Sequence, residues 1–386
     1  MAIVVLQTTT FGSHGGIQTY NRLFARALNS FGDLGEIYVL VMTDHASDVD
    51  ALRELDSYQR LRIETFGGKR SAFVRRVFRL ACQVRIDLLL VGHVNYAPLG
   101  MFVRRLQPRL RYGISAHGND AWLNLSRIRR RALRKADFIM SVSEDTYRRA
   151  ESVNGHIEGR PYILPNALPW AEDSIVCDSS PKGTNLLMLS VGRLAADEGQ
   201  KGVDTVIEAL PRIRVRVPNI RYVVIGEGSD LDRHRNLAHR LGVAAHVNFL
   251  GSVDEATLRR YYKACDLFVL PSAQEGFGIV FLEAMHYKKP IIAANKGGTP
   301  EVVKDRETGM LVEYGNVEQL TAAITALCTN QPERDRMGDA GYKRLQENFT
   351  FDHFKRRLHE IVMAELPQKA FDHGERQVAR RASSLT

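Results

Sequence analysis

Residues 3–42 read IVVLQTTTFGSHGGIQTYNRLFARALNSFGDLGEIYVLVM. Ile3–Leu6 is a short apolar run, and a glycine-rich turn follows it. Ile17, Tyr20, Phe24, Ala27, Leu28 and Phe31 then recur at helical spacing, and Ile37–Met42 is a second apolar run. Strand, helix and strand in that order is the βαβ signature, with the two strands parallel and buried on both faces. Leu88–Val91, Tyr112–Ser115 and Phe138–Val142 continue the alternation. It lapses over Pro169–Asn185, a stretch rich in Pro, Gly, Ser and acidic residues, and restarts with Leu186–Val191, Tyr222–Ile225, Val247–Leu250, Leu267–Leu270 and Ile291–Ala294. The prediction is α/β: two Rossmann-like, doubly wound domains facing across a cleft. Their expected bounds are 1–168 and 186–348, with a linker over 169–185. A C-terminal helix over 349–366 is expected to pack back toward the first domain, and a frayed tail to occupy 367–386.

With 386 residues, 44% hydrophobic and 25% charged, the chain is too long for one ordinary domain. Its balance excludes wholesale disorder, collagen and coiled coil. No apolar run approaches the roughly 20 residues of a transmembrane helix. Met1–Leu6 lacks a basic flank and reads as a strand rather than a signal peptide. Cys82, Cys177, Cys265 and Cys328 lie far apart, which indicates neither a disulfide frame nor a zinc site. A soluble, cytoplasmic protein is expected.

The net charge of +9 is uneven. Residues 1–170 hold 24 basic and 15 acidic side chains, whereas the remainder holds 29 of each. Within 60–135 the imbalance is 18 to 3. An anionic partner is expected on the first half only. Ser126–Lys135 contains no aromatic stacking platform, which argues against single-stranded nucleic acid.

Ligands of doubly wound sheets bind beyond the carboxyl ends of strands. The first such exit, Thr8 to Gly16, ends in Gly15-Gly16 just before a helix, a potential anion site. It is neither a dinucleotide fingerprint nor a P-loop. A later exit reads His117-Gly118-Asn119-Asp120, and a lone histidine there is structural or functional. In the second half a strand ends in Gly192-Arg193, and Lys201-Gly202 opens the next helix, two cations able to hold a diphosphate. Leu267–Ser272 then leads into Glu275-Gly276-Phe277-Gly278-Ile279-Val280-Phe281-Leu282-Glu283, with a carboxylate before the helix and another inside it. Gly297-Gly298-Thr299-Pro300-Glu301 is one more glycine-rich exit.

This ordered set resembles the retaining family-4 glycosyltransferases of GT-B architecture, over nearly the whole chain. Pro165-Asn166 and Gly226-Glu227-Gly228 belong to the same pattern. Arg193 and Lys201 stand farther apart than in much of that family, separated by a longer loop over 195–200. The resemblance implies a donor site in the second domain and an acceptor side in the first. Arg193 and Lys201 would neutralise the departing diphosphate, and Glu283 would bind the ribose hydroxyls. Glu275 would face the transferred sugar, beside backbone N–H groups around Phe277, Gly278 and Ile279. His117 would hydrogen-bond the sugar, while Gly15, Gly16 and Gly192 would let backbone approach the donor.

The implied reaction is a retaining, metal-independent hexosyl transfer from a GDP- or UDP-linked sugar to a glycan or lipid-linked acceptor, in polysaccharide or glycoconjugate synthesis. No cofactor is expected. Asp48-Val49-Asp50 and Asp230-Leu231-Asp232 read as polar-loop and helix-start residues rather than metal ligands. Two alternatives stay open: a nucleotide-sugar 2-epimerase, and a non-catalytic sugar-binding protein of the same fold. Finally, Lys69–Leu80 sets Phe73, Val74, Val77, Phe78 and Leu80 among five cations. That basic amphipathic pattern suits peripheral attachment to an anionic membrane surface. Its other reading is a stripe packed on the sheet with only the charges outside.

Overall fold

The computed structural model describes residues 1–12, 15–48, 58–170, 186–195 and 201–367. The linker expected over 169–185 therefore lies almost wholly outside the described residues. So do Val49-Asp50, most of the 195–200 loop, and the tail beyond 367. The chain divides into two units, one of Met1–Pro169 with Phe351 onward, the other of Trp170–Thr350.

Unit 1 is built on seven parallel strands: β1 (Ala2–Gln7), β2 (Glu36–Val41), β3 (Leu61–Thr65), β4 (Leu88–Val91), β5 (Arg111–Ala116), β6 (Phe138–Ser141) and β7 (Arg160–Ile163). Their spatial order is β3-β2-β1-β4-β5-β6-β7. Winding reverses between β1 and β4, so the crevice for a ligand opens past their carboxyl ends. The helices joining them are α1 (Gly16–Ser30), α2 (Arg70–Gln83), α3 (Ala97–Leu106), the short α4 (Asn119–Trp122), α5 (Arg127–Arg134) and α6 (Glu144–Asn154). All six residues of β1 and all four of β4 are buried, as central parallel strands require.

The apolar stripe of α2 faces inward. Phe73, Val77, Leu80 and Ala81 are buried in the core over the sheet, with Val74 and Phe78 packed against it. Arg76 makes two hydrogen bonds of 2.5 and 2.6 Å to Glu64 of β3, and Arg75 and Arg79 stand exposed. This corrects the reading of α2 as a helix whose apolar face meets a membrane. A sheet face must be covered by something apolar, and in this unit α2 is part of the cover.

In unit 2 six parallel strands run in the order β10-β9-β8-β11-β12-β13. They are β8 (Leu187–Val191), β9 (Arg221–Ile225), β10 (Val247–Gly251), β11 (Leu267–Leu270), β12 (Ile291–Ala294) and β13 (Gly309–Val312). Helices α7 (Val203–Arg216), α8 (Leu231–Arg240), α9 (Glu255–Ala264), α10 (Ile279–His286), the short α11 (Thr299–Val302), α12 (Val317–Thr329) and α13 (Gln331–Asn348) complete it. Here the winding reverses between β8 and β11. Asp230 stands at the N-cap position of α8 with its carboxylate turned to Arg233, at 2.5 and 2.6 Å, rather than to the helix amides, while Asp232 pairs with Arg235 at 3.1 Å.

The last helix, α14 (Phe351–Glu365), belongs to unit 1 and lies on α1. The ring of Phe354 meets Tyr20 at 5.6 Å, and Arg26 sits 4.2 Å over Phe351. At its far end Glu365, fully buried, accepts from Tyr162 Oη at 2.7 Å and pairs with Arg111 at 2.6 Å.

Candidate active site

In unit 2 the exits of the two strands at the winding reversal are drawn together. Past β8, the Gly192 amide donates to the Ile225 carbonyl and the Leu194 amide to that of Glu227, tying the β8 exit to the β9 exit. Lys201 arrives just ahead of α7, whose N-cap is Gly202. Gly202 has φ +73°, and a Cβ there would stand 2.3 Å from the Pro271 carbonyl oxygen. Only glycine fits that position. The tight approach brings the start of α7 to the β11 exit, and Lys201 Nζ reaches Glu275 Oε1 at 2.6 Å. Both side chains are mostly buried, 21% and 12% exposed, so the pair is only weakly screened. Arg193 and Lys201 line one small cavity with Leu194, Gly202, Asp230 and His234. Both expected cations thus sit at one place, with Glu275 against one of them.

The backbone of Glu275 is fixed from the β12 exit. Its carbonyl accepts from the Gly298 amide at 2.8 Å, and a Cβ on Gly297 would stand 2.5 Å from the same oxygen. Gly278, at φ +90°, caps α10, so Ile279 is the first helical residue and the amides there point out of the helix N-terminus. Phe277 is buried against Phe349. Glu283, the fifth residue of α10, is buried, and its Oε2 accepts from Tyr262 Oη at 2.6 Å. Burial pushes its carboxyl up to about 7, against the opposing pull of the Tyr262 hydrogen bond.

In unit 1 the turn after β1 is held by Asp44. One carboxylate oxygen accepts from Thr9 Oγ1 at 2.7 Å; the other accepts from the amides of Thr10 and Phe11 at 2.9 and 2.6 Å. Gly15 is the N-cap of α1, and Gly16 opens the helix; among the described residues beyond its chain neighbours and its own helix backbone, no atom stands within 4 Å of where its Cβ would be. His117, past β5, donates from Nε2 to the Gly92 carbonyl at 2.9 Å, which leaves Nδ1 as the acceptor of the neutral ring. Its backbone amide is held by Asp120 at 3.0 Å, and its ring meets Tyr20, one turn into α1, at 4.7 Å. Gly15, Gly16 and His117 therefore gather at one end of the unit 1 sheet. Gly192, Arg193, Lys201, Glu275, Phe277, Gly278 and Ile279 gather at the corresponding end in unit 2, while Glu283 lies further along α10 against Tyr262 of α9.

The first half of the chain, residues 14–169, matches the model described as Glycosyltransferase Family 4. Residues 175–344 match that of Glycosyl transferases group 1. A GDP-mannose-dependent alpha-(1-6)-phosphatidylinositol monomannoside mannosyltransferase of Mycobacterium tuberculosis is 30% identical over 312 residues, 75% of this chain and 79% of that one. The chain belongs to family 4 of the glycosyltransferases. A D-inositol 3-phosphate glycosyltransferase of Corynebacterium aurimucosum is 35% identical over 163 residues, 41% of this chain and 38% of its own. Among solved structures, Anabaena Alr3699/HepE in complex with UDP superposes with a TM-score of 0.75 at 20% identity, covering 94% of this chain and 100% of that one. The two Rossmann-like domains are the GT-B fold.

This glycosyltransferase also places residues at its strand exits that sequence patterns did not reveal. Asp44 organises the first turn from the next strand exit. His93 follows β4 at the winding reversal and accepts the Asn95 amide on Nδ1, and burial lowers its pKa. Inspecting every strand exit for histidine would have found it. Tyr262 carried no such signal, since it reads as an ordinary core aromatic of α9. Among the described residues, no group of three or more His, Cys, Asp or Glu side chains is arranged to hold a metal ion. No described helix is long and apolar enough to cross a membrane.

Proposed function

We propose that this glycosyltransferase moves a hexose from a nucleotide diphosphate sugar to a glycan or lipid-linked acceptor, with retention of anomeric configuration and without a metal. The observation that carries the reading is Arg193 and Lys201 on one cavity with Lys201 against Glu275, at the winding reversal of unit 2. Breaking a glycosyl–phosphate bond develops charge on the diphosphate. Two cations at one strand exit, Lys201 mostly buried and Arg193 exposed, stabilise that charge, and losing a preorganised donor costs about 3–4 kcal/mol. Glu275 then faces the sugar carbon that gains positive character, and Glu283 binds the ribose hydroxyls. His117 presents Nδ1 as an acceptor for a sugar hydroxyl. The mycobacterial relative, named for GDP-mannose and a phosphatidylinositol-based acceptor, supports GDP-mannose as the donor and a lipid-linked glycan as the acceptor. Retention is the stereochemical course that the family resemblance implies, and membership in polysaccharide or glycoconjugate synthesis follows from the acceptor class.

The test is a thermal-shift panel of GDP- and UDP-sugars, followed by turnover with the stabilising donor. A donor at a hundred times its Kd adds about 2.7 kcal/mol to the native state. Transfer should survive EDTA, and the product anomer should match that of the donor by NMR. Activity lost to EDTA and restored by added metal ends the metal-free reading. Interconversion of the nucleotide sugar with no acceptor present supports an epimerase instead.

A further inference from the structure

One helical layer of unit 1 carries a charge pattern that donor chemistry does not use. α2, α3 and α5 pack side by side over one face of the sheet, sharing a single core. They hold four, two and five arginines respectively and no Asp or Glu. Part of this charge is consumed locally: Arg76 by Glu64, and Arg104 by both oxygens of Asp137 at 3.0 Å. Arg105, Arg127 and Arg131 make no ion pair among the described residues, and they line a groove between α3 and α5. The same groove is lined by Met101, Phe102 and Ile128.

Its apolar side chains face outward. Phe102 is 37% exposed and Ile128 46%, while Leu106, one turn beyond Phe102 on α3, is 54% exposed. Single exposed apolar residues are ordinary. These three stand on adjacent helices among uncompensated arginines, a combination that a solvated basic face does not need. α5 illustrates it: Ala132 and Leu133 suffice to seat the helix on the core, yet Ile128 is set outward among the arginines.

We propose that this α3–α5 face docks the protein on an anionic lipid bilayer, the arginines engaging headgroup phosphates while Phe102, Leu106 and Ile128 enter the acyl boundary. Both halves of the pattern have a counterpart there. Arginine keeps its guanidinium at the headgroups and lays its stem along apolar surface, and aliphatic side chains gain by leaving water. A nucleic acid would satisfy the arginines but offers nothing to Leu106 and Ile128, and Phe102 alone makes no stacking platform. The docking surface lies one helix away from the stripe of α2, which the core consumes. It goes beyond the donor chemistry and does not depend on it.

The experiment is sedimentation of the full chain with vesicles of equal parts phosphatidylcholine and phosphatidylglycerol, against vesicles of phosphatidylcholine alone. Binding should require the anionic lipid and fall with salt. Changing Arg105, Arg127 and Arg131 together to Gln should lower the partition coefficient on the order of a hundredfold. Phe102→Ser with Ile128→Ser should lower it about tenfold. Thermal melts and turnover on a detergent-solubilised or soluble acceptor should stay as in the parent, which separates docking from folding and from donor binding. Arg216→Gln with Arg240→Gln and Arg260→Gln, three exposed arginines of unit 2, is the charge-matched control and should bind as the parent. Equal binding by all variants, no binding to the anionic vesicles at low salt, or retention by single-stranded DNA in place of vesicles overturns the proposal. So does loss on arginine removal with no effect of the apolar pair.

Discussion

Lys201 Nζ lies 2.6 Å from Glu275 Oε1, the first just before α7 and the second past β11, and the two are 74 positions apart in sequence. The cation assigned to the donor diphosphate is thus held by the carboxylate assigned to the sugar. A bound donor must share Lys201 with Glu275 or draw it away. The pairing keeps a mostly buried ammonium compensated, which avoids the cost of an isolated buried charge.

Two substitutions separate these roles. Lys201→Ala should lower turnover about 10²–10³-fold with the fold intact, since it removes a preorganised charge from the leaving group. Glu275→Gln should also lower turnover, yet it should strengthen binding of the free nucleoside diphosphate about tenfold, because the competing negative charge is gone. Calorimetric titration with GDP and UDP reads the difference. Unchanged or weaker diphosphate binding by Glu275→Gln would show that the pair does not compete with the donor.

Stability should depend on Glu283 in a definite pH window. Burial raises its folded-state pKa from 4.5 to about 7, so the native state holds a proton that the unfolded chain releases. The stability associated with that proton is fully present below about pH 4.5 and is lost as pH rises through about 7. The full span is worth about 3 kcal/mol. Glu283→Gln keeps a neutral side chain that can accept from Tyr262. It should flatten the decline in melting temperature between pH 5 and pH 8, and a parallel decline in both proteins would refute the assignment. Tyr262→Phe, which removes the hydrogen bond that favours the carboxylate, should push the transition to higher pH.

The central strands were legible because a parallel strand buried on both faces must be apolar throughout, as in Ile3–Leu6, Leu88–Val91 and Leu267–Leu270. β3, β7 and β13 were not. Each is an edge strand, and β3 alternates Leu61-Arg62-Ile63-Glu64-Thr65 while β7 contains Pro161, so neither presents a continuous run. The strand-exit placement of the charged and glycine residues of the candidate site was legible because they follow apolar runs, and strand exits in doubly wound sheets are where ligands bind. Asp44 and Tyr262 were not, because their partners lie more than twenty positions away and the contacts exist only once the sheets form. For α2 the ambiguity was physical. A stripe of Phe73, Val77 and Leu80 among arginines has the same period whether it meets a sheet or a lipid.

The anchoring of α14 makes a third prediction. Glu365 is fully buried and compensated by Arg111 and Tyr162. Glu365→Ala leaves Tyr162 without its acceptor, while Arg111, 39% exposed, can turn to water. The loss should be about 2–3 kcal/mol, below the 3–5 of a fully sealed pair. Urea unfolding should show an earlier transition reported by Trp122, with donor binding in unit 2 retained. An unchanged profile would mean that α14 is held by its aromatic contacts alone.

The last prediction rests on what is absent around Gly16. Among the described residues, and apart from its chain neighbours and its own helix backbone, a Cβ at that position meets no atom within 4 Å, and its φ lies outside the left-handed region, so no described contact requires a glycine there. Gly202 is the opposite case, with φ +73° and the Pro271 carbonyl in the way. Alanine is the better helix former, so Gly16→Ala at the first position of α1 should leave stability unchanged or raise it by about 0.5 kcal/mol. Gly202→Ala should instead lower stability and weaken donor binding together. If Gly16 is glycine because the donor comes close to the α1 N-terminus, Gly16→Ala should cut turnover at least tenfold in a protein that melts no earlier than its parent. Parent-like turnover in that variant would remove the first turn of unit 1 from the donor site, leaving its Asp44-held backbone as a purely structural turn.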